Sequence, residues 1–356
     1  MKSSYGDNLK LTIFGASHAP EIGMTLEGIP AGLPVDMEAL QQFMDRRAPG
    51  RNEWSTTRKE ADIPHFLSGF TDGVTNGETI HAVIYNENVR RSDYDELKYI
   101  PRPGHADYAA WMKYGLDFDM SGGGPFSGRM TAPMCIAGGL CKQWLEKMGI
   151  RIGAQILHIG GYVGERFDPI DPELDDVGTD FPCLHPHDRK VFQNIISEVK
   201  SDQDSMGGII QCAITGLPIG LGGPLFDGIE GKIAQITYSI PAVKSVSFGI
   251  GADSAIFLGS EVNDEYSVIN GQVRPRTNYC GGILGGITNG MPVLFQVAIK
   301  PTPSIPQPQR SVNLKTMEEV TIQIKGRHDP CIVPRAVPVV EAAAAIAIYD
   351  LILGEQ

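Results

Sequence analysis

Apolar positions fall into two periods along this chain. Short β-branched runs between glycine and proline punctuation predict strands at Lys10–Phe14, Ile80–Tyr85, Ile209–Ile214 and Val293–Ile299. Helical spacing predicts helices at Met37–Arg47, stopped by Pro49-Gly50, and at Ala132–Met148, closed by Gly149. Arg189–Lys200, Gly228–Tyr238 and Pro338–Leu353 fit further helices, with Pro338 suited to a first turn. Strands and helices together give a mixed α/β class.

The pattern repeats. Laid on itself at a shift of 188, Gly28-Ile-Pro-Ala-Gly-Leu33 falls on Gly216-Leu-Pro-Ile-Gly-Leu221, and Ile22 and Leu26 fall on Ile210 and Ile214. Each copy runs through an aspartate, Asp36 or Asp227, into a helical segment. The shift is too long for a stacking repeat, so the expectation is one sandwich-like domain over 1–356 with a pseudo-twofold core of antiparallel sheet flanked by helices. Its halves are expected at about 1–165 and 189–356, with the acidic, proline-bearing stretch 165–188 as a surface excursion at the seam. No apolar run reads as a membrane span: Val337–Leu353 is broken by Glu341 and Asp350 and reads as a buried helix.

A net charge of −12 makes nucleic acid and anionic membranes poor partners. An anionic ligand must then be gripped by a local cluster of cations, for which Arg46, Arg47, Arg51, Arg58, Lys59, Arg102, Arg129, Lys300, Arg327 and Arg335 are candidates. Six scattered cysteines with no Cys-x-x-Cys pair read as reduced thiols of a cytoplasmic protein. His185-Pro-His187 beside Cys183 matches no zinc spacing, so no metal is expected.

The chemistry concentrates in a few turns. His18 follows the first predicted strand, and His105 lies in Arg102-Pro-Gly-His-Ala-Asp-Tyr108; both imidazoles sit near cations and glycine and suit proton transfer. Arg327-His-Asp-Pro-Cys331 adds Asp329, a base or an orienter of His328, with an ion pair to Arg335 as the competing reading. Lys300-Pro-Thr-Pro-Ser304 offers a phosphate one ammonium and two hydroxyls, and no phosphate-binding Gly-x-x-x-x-Gly-Lys element is present. Gly122-Gly-Gly124 and Gly281-Gly-Ile-Leu-Gly-Gly286 permit close approach of a flat or anionic ligand.

In order along the chain, these segments resemble the chorismate synthase family. The carrying motifs are Gly15-Ala-Ser-His18, Asp45-Arg-Arg-Ala-Pro-Gly50, Arg91-Ser-Asp-Tyr94, Arg102 to Tyr108, Asp204-Ser-Met-Gly-Gly208, Ile240-Pro-Ala-Val-Lys244, Gly281 to Gly290, Lys300 to Ser304, and Arg327 to Cys331 with Arg335-Ala-Val-Pro338. The resemblance implies a lyase that converts 5-enolpyruvylshikimate 3-phosphate to chorismate and phosphate by anti-1,4 elimination in aromatic amino acid biosynthesis. It also implies dependence on reduced FMN, NADPH as a candidate reductant, and a homotetramer.

By the same resemblance, His18 would protonate the departing phosphate, His105 would stabilise reduced flavin, and Asp329 would assist removal of the ring proton. Arg46 and Arg47 would bind the anions of substrate or NADP. Ser127, Gly128, Ala242, Gly285, Lys300, Pro301, Thr302, Pro303, Ser304 and Arg327 would surround FMN. The chain departs from the family pattern at Ala16, Ala19, Ala48, Glu53, Pro125 and Phe126, the last two removing a cation and a hydroxyl from the flavin loop. Competing readings are a paralogue of the same fold that binds ligand without flavin chemistry, and a flavin oxidoreductase acting on another phosphorylated acid.

Overall fold

The computed structural model describes residues 3–50, 54, 60–86, 98–324 and 328–355. Two five-stranded sheets, antiparallel throughout, carry the fold. The first orders its strands Ser4–Tyr5, Lys10–Gly15, Glu21–Glu27, Ile80–Tyr85, His65–Ser68. The second orders Tyr162–Val163, Arg151–Ile159, Gly208–Thr215, Val293–Ile299, Val243–Phe248. The helices are α1 (Met37–Arg47), α2 (Asp107–Tyr114), α3 (Thr131–Lys147), α4 (Pro186–Ser201), α5 (Ile229–Thr237), α6 (Gly259–Val262) and α7 (Val333–Gly354).

Helix α3 touches strands of both sheets and crosses α7, which lies on the second sheet. Both are apolar almost all round, as a central helix must be, and α7, long enough to cross a bilayer, is instead largely buried inside the fold. The crossing is close: a Cβ on Gly138 would stand 2.3 Å from Ala342 Cα. Helix α7 starts five residues before the expected Pro338, because Pro334 takes the first turn and Pro338 is carried inside the helix. Helix α4 starts three residues early at Pro186, where His185 Nδ1 accepts from the His187 N–H at 3.2 Å; the His-Pro-His element is a helix cap.

The 188-residue echo has an atomic counterpart. Thr75 Oγ1 donates to Pro30 O (2.6 Å) and accepts from Leu33 N (2.9 Å), while Thr288 Oγ1 donates to Pro218 O (2.5 Å) and accepts from Leu221 N (2.9 Å). Gly28 and Gly32, like Gly216 and Gly220, take positive φ in these matching turns. Setting aside the edge strands Ser4–Tyr5 and Tyr162–Val163, α2 in the first half, and α4, α6 and the hairpins Tyr266–Pro275 and Gln309–Ile322 in the second, both halves share the order strand, strand, helix, strand, hairpin, strand, helix. Residues 165–188 cover the outer face of the second sheet. Phe167 and Phe181 are buried there, and the side chains of Gln155 and Gln211 satisfy backbone groups of Glu165, Phe167 and Leu184. An acidic composition concealed these anchors.

Candidate active site

One cavity of about 720 Å³ opens where the two halves meet. The first half lines it with His18 from the loop between two strands, Arg47 and Pro49 from the end of α1, residues 104–106, and the segment from Gly122 to Thr131 that leads into α3. The second half contributes 238–244 between α5 and its following strand, Lys300 and 302–304 beyond the strand Val293–Ile299, and the first turns of α7.

The glycine run brings the imidazoles together. Gly122, Gly123 and Gly124 all take positive φ (59°, 92° and 51°), a region where a side chain is strained. A Cβ on Gly122 would lie 2.1 Å from His18 Cε1, and one on Gly123 would lie 3.3 Å from His105 Nε2. The run therefore lies against both rings, and only glycine permits that approach.

Each ring is oriented by a neighbour. Ser17 Oγ donates to Ser121 O at 3.0 Å and stands 3.0 Å from His18 Nδ1. With its one proton committed to a carbonyl, Ser17 accepts from Nδ1–H, which puts the exchangeable proton position of neutral His18 at Nε2. His105 Nδ1 lies 2.7 Å from Asp107 Oδ1, and Arg102 grips the same carboxylate through Nε (2.7 Å) and Nη2 (2.8 Å). Burial raises the Asp107 carboxyl, but hydrogen bonds from Arg102 and His105 outweigh it and hold the group well below the usual range. Asp107 is thus a fixed anion, and Nδ1 is its donor. Arg102 Nη1 reaches Ser304 Oγ at 3.4 Å, and Lys300 Nζ donates to Gly104 O, joining the two halves across the cavity.

A second cluster surrounds Asp62, whose side chain is wholly buried. Arg47 Nη1 donates to Asp62 Oδ2 at 2.5 Å, while its Nε reaches Thr131 Oγ1 (3.2 Å) and Nη2 reaches Gly128 O (3.1 Å). Arg129 pairs with Asp62 Oδ1 and, at 2.8 Å, with Glu60. Burial raises the Asp62 carboxyl, yet Arg47 and Arg129 together bring it below its ordinary value. Arg335 Nη1 pairs with Asp329 at 2.5 Å and its Nε donates to Arg47 O at 3.0 Å, tying α7 to α1. The Lys300 ammonium is lowered by burial and by Lys244, the next cation on the wall.

Of the residues singled out from sequence, His18, His105, Asp329, Arg47, Ser127, Gly128, Ala242, Lys300, Thr302, Pro303 and Ser304 all line this one cavity. Three others do not. Arg46 turns away and forms a bidentate pair with buried Glu341 (2.8 and 2.6 Å), which Lys142 also reaches at 2.8 Å. Gly285 sits in the turn of the hairpin joining Ile283–Leu284 to Ile287–Thr288, off the cavity wall, and Pro301 is also absent from the lining. Arg327 lies outside the described residues, as do Arg51, Arg58, Lys59 and the Arg91–Tyr94 motif. Glu60 and Asp62 escaped attention in the sequence, although their alternation in Glu60-Ala-Asp62, directly after a basic segment, was a visible sign of charge compensation.

Comparison with known proteins gives one answer over nearly the whole chain. The chorismate synthase family model matches residues 9–353. A chorismate synthase of Lancefieldella parvula is 44% identical over 98% of this chain and 96% of its own length. One from Korarchaeum cryptofilum is 45% identical over 98% and 97%. A crystal structure of chorismate synthase superposes with a TM-score of 0.77 at 28% identity, covering 99% of this chain and 93% of its own. By these matches, and with a mixed α/β fold of the same architecture, the chain belongs to the chorismate synthase family of chorismate-forming lyases.

Proposed function

We propose that the cavity binds 5-enolpyruvylshikimate 3-phosphate against reduced FMN and eliminates phosphate across the 1,4 positions of the ring. The observation that carries this reading is the meeting of two separately oriented imidazoles on one glycine run inside a cation-lined cavity.

The residues present fit a flavin mononucleotide. Ile240, Ala242, Ile332, Ala336 and Val339 give an apolar wall for a flat ring system. Gly128 leaves open space where a side chain would project. Buried Thr302 Oγ1 has no hydrogen-bond partner among the described residues. Lys300 and Lys244 carry no ion pair among the described residues, which leaves their charge for a phosphate. Ser127, Gly128, Ala242, Lys300 and Thr302 to Ser304 would hold the group. When bound and reduced, it supplies the transient electron donation that lets an allylic phosphate leave.

The chain's own groups handle protons and position. His18, with Nδ1–H committed to Ser17, presents Nε2 to protonate the departing phosphate. His105, its Nδ1–H given to Asp107, keeps Nε2 for the ligand side of the glycine run. Asp329 holds a carboxylate on the wall, oriented by Arg335, to assist departure of the ring proton. Arg47 and Arg129 form a rigid pair of guanidinia for the substrate's anions.

The paralogue and oxidoreductase readings are not favoured, since all three acid-base side chains stand in one cavity. Exposed Leu225, Phe226, Ile219 and Leu258 support a homotetramer in which other copies cover them. The test is an anaerobic assay with dithionite-reduced FMN and 5-enolpyruvylshikimate 3-phosphate, following chorismate absorbance and the flavin spectrum. His18→Ala and His105→Ala are expected to stay folded and lose most turnover; full activity in both would discard the assigned roles.

A further inference from the structure

The contacts that orient His105 are local. Arg102, His105 and Asp107 are near neighbours in sequence, so their bonds fix the ring against the start of α2 without fixing where that start sits in the cavity. Placement matters, because a shift of about 1 Å in a reacting group can cost about a hundredfold in rate. The main core does not supply it: among the described residues, no apolar side chain of 99–129 belongs to that core. Across the cavity the segment is tied by a long Arg102–Ser304 contact (3.4 Å) and by Lys300 to Gly104 O.

The segment has a small core of its own. Ala110, Trp111 and Met120 are buried in it, and Ala106, Phe118 and Leu314 pack around them. Ala106 follows His105, and Met120 leads into the glycine run that lies against both imidazoles. Among the described residues, Leu314 is the one member from outside 106–120. It sits in the turn of the hairpin formed by strands Gln309–Asn313 and Glu318–Ile322. That hairpin also grips the chain just before Arg102. Ser311 Oγ donates to Pro101 O at 2.5 Å, the Leu314 N–H donates to Tyr99 O at 2.9 Å, and Lys315 Nζ stands 3.9 Å from the centre of the Tyr99 ring. The hairpin springs from the cavity wall, with 302–304 before it and 328–329 after it, yet neither Ser311 nor Leu314 lines the cavity.

We propose that Leu314 is a positioning residue for the reaction: seated in the small core beneath α2, it sets the place of His105 in the cavity, with Ser311 as a second hold on the same segment. The inference rests on the acid-base reading of His105. Truncating Leu314 leaves a gap into which α2 relaxes, and because this core is separate from the main one, the loss falls on rate more than on global stability.

The test measures kcat and KM of the full-length protein with reduced FMN and 5-enolpyruvylshikimate 3-phosphate, using enough enzyme to follow slow turnover. Leu314→Ala is expected to lower kcat roughly tenfold with KM changed less than about threefold. Leu314→Met, of similar volume, is expected to recover most of the rate, and Ser311→Ala to show a smaller fall. Val312, exposed on the same strand and outside the small core, is expected to tolerate alanine. In a His105→Ala background, Leu314→Ala should change kcat less than about twofold, since a residue that acts through the ring has nothing left to place. A merely structural role predicts the same fold loss with or without the imidazole. Unchanged kcat in Leu314→Ala, equal fold losses in the two backgrounds, or an equal fall in Val312→Ala overturns the proposal. Should Leu314→Ala not fold, Ser311→Ala in both backgrounds decides by the same criterion. If His105→Ala alone keeps full turnover, the acid-base reading of that ring fails and the proposal with it; an inactive His105→Ala beside a fully active Leu314→Ala overturns the positioning alone.

Discussion

Replacing Asp62 with asparagine tests how the cavity holds its arginines. The carboxylate is wholly buried and shared between Arg47 Nη1 and Arg129 Nη1. Asparagine keeps the shape, but its single carbonyl can serve one guanidinium while its NH₂ faces the donors of the other. Arg129 retains Glu60 and Asn86, and Arg47 retains Thr131 and the Gly128 carbonyl. The loss is therefore placed at the lower end of the range for breaking a buried pair, about 3 kcal/mol. At about 2.1 cal/mol/K per residue, a chain of 356 residues has an unfolding entropy near 0.75 kcal/mol/K, so Tm should fall by about 4 °C. Acid adds a second signature. Because the folded carboxyl titrates below its unfolded value of about 3.9, its contribution is complete above that pH and fades as pH drops toward the folded value. The gap between wild type and Asp62→Asn should thus stay constant from pH 8 to about 5 and narrow below about 3.9. Calorimetry across pH measures both. An Asp62→Asn Tm within 1 °C of wild type at neutral pH (about a quarter of the expected shift), or a gap that widens in acid, would refute the clasp.

Gly122→Ala should displace His18, since the new Cβ would lie 2.1 Å from Cε1 and 2.8 Å from Ser17 Oγ on a residue with φ of +59°; at least about a tenfold fall in kcat is expected, with FMN affinity changed far less. Asp107→Asn should lower kcat by about 10–100-fold, as loss of an orienting partner does at other sites. That ratio should stay flat from pH 6 to 9, because Asp107 is already fully ionised there; a ratio that vanishes within that window would mean Asp107 titrates in the working range. Gly138→Val forces α3 from α7 at Ala342 and should cost about 1–3 kcal/mol or more, read in urea midpoints. Lys300→Gln and Lys244→Gln should each weaken FMN binding and flatten its dependence on salt; an unchanged salt slope in both would remove the phosphate from this end of the cavity.

How far the sequence carried differs between elements, for physical reasons. Helix α1 ends where periodicity places it because Asp36 caps Ala39 N and Pro49-Gly50 stops the run. The echo at 188 was legible through paired glycines that need positive φ. Its continuation was hidden, since Gly73-Val-Thr-Asn-Gly77 matches Gly286-Ile-Thr-Asn-Gly290 only at a shift of 213, after the second half has gained 25 residues. Arg151–Ile159 and Val243–Phe248 carried no clear alternation, because sheet strands covered on both faces or bordering a cavity lack it. Arg46 and Arg47 were inseparable in sequence. Successive helical side chains point about 100° apart, so one can meet Glu341 while the other meets the cavity, and only packing decides which. Asp62 was the deepest omission, its partners standing 15 and 67 residues away.

The charge layout of the cavity follows from what a buried guanidinium requires. Taken from water alone, each would cost several kcal/mol, and a ligand-binding enzyme must exist without its ligand. Here Arg47 has Asp62, Arg102 has Asp107, Arg129 has Glu60 with Asp62, and Arg335 has Asp329. These arginines are held in place at little net charge, so what they offer an anion is fixed hydrogen-bond geometry. Net positive charge falls to Lys300 and Lys244, half-exposed or exposed, where solvation lowers the cost of leaving an ammonium unpaired. An acidic molecule can in this way present a cavity to a multiply anionic substrate without a destabilising cluster of bare cations. Shape and orientation come from the arginines, and attraction comes from the lysines.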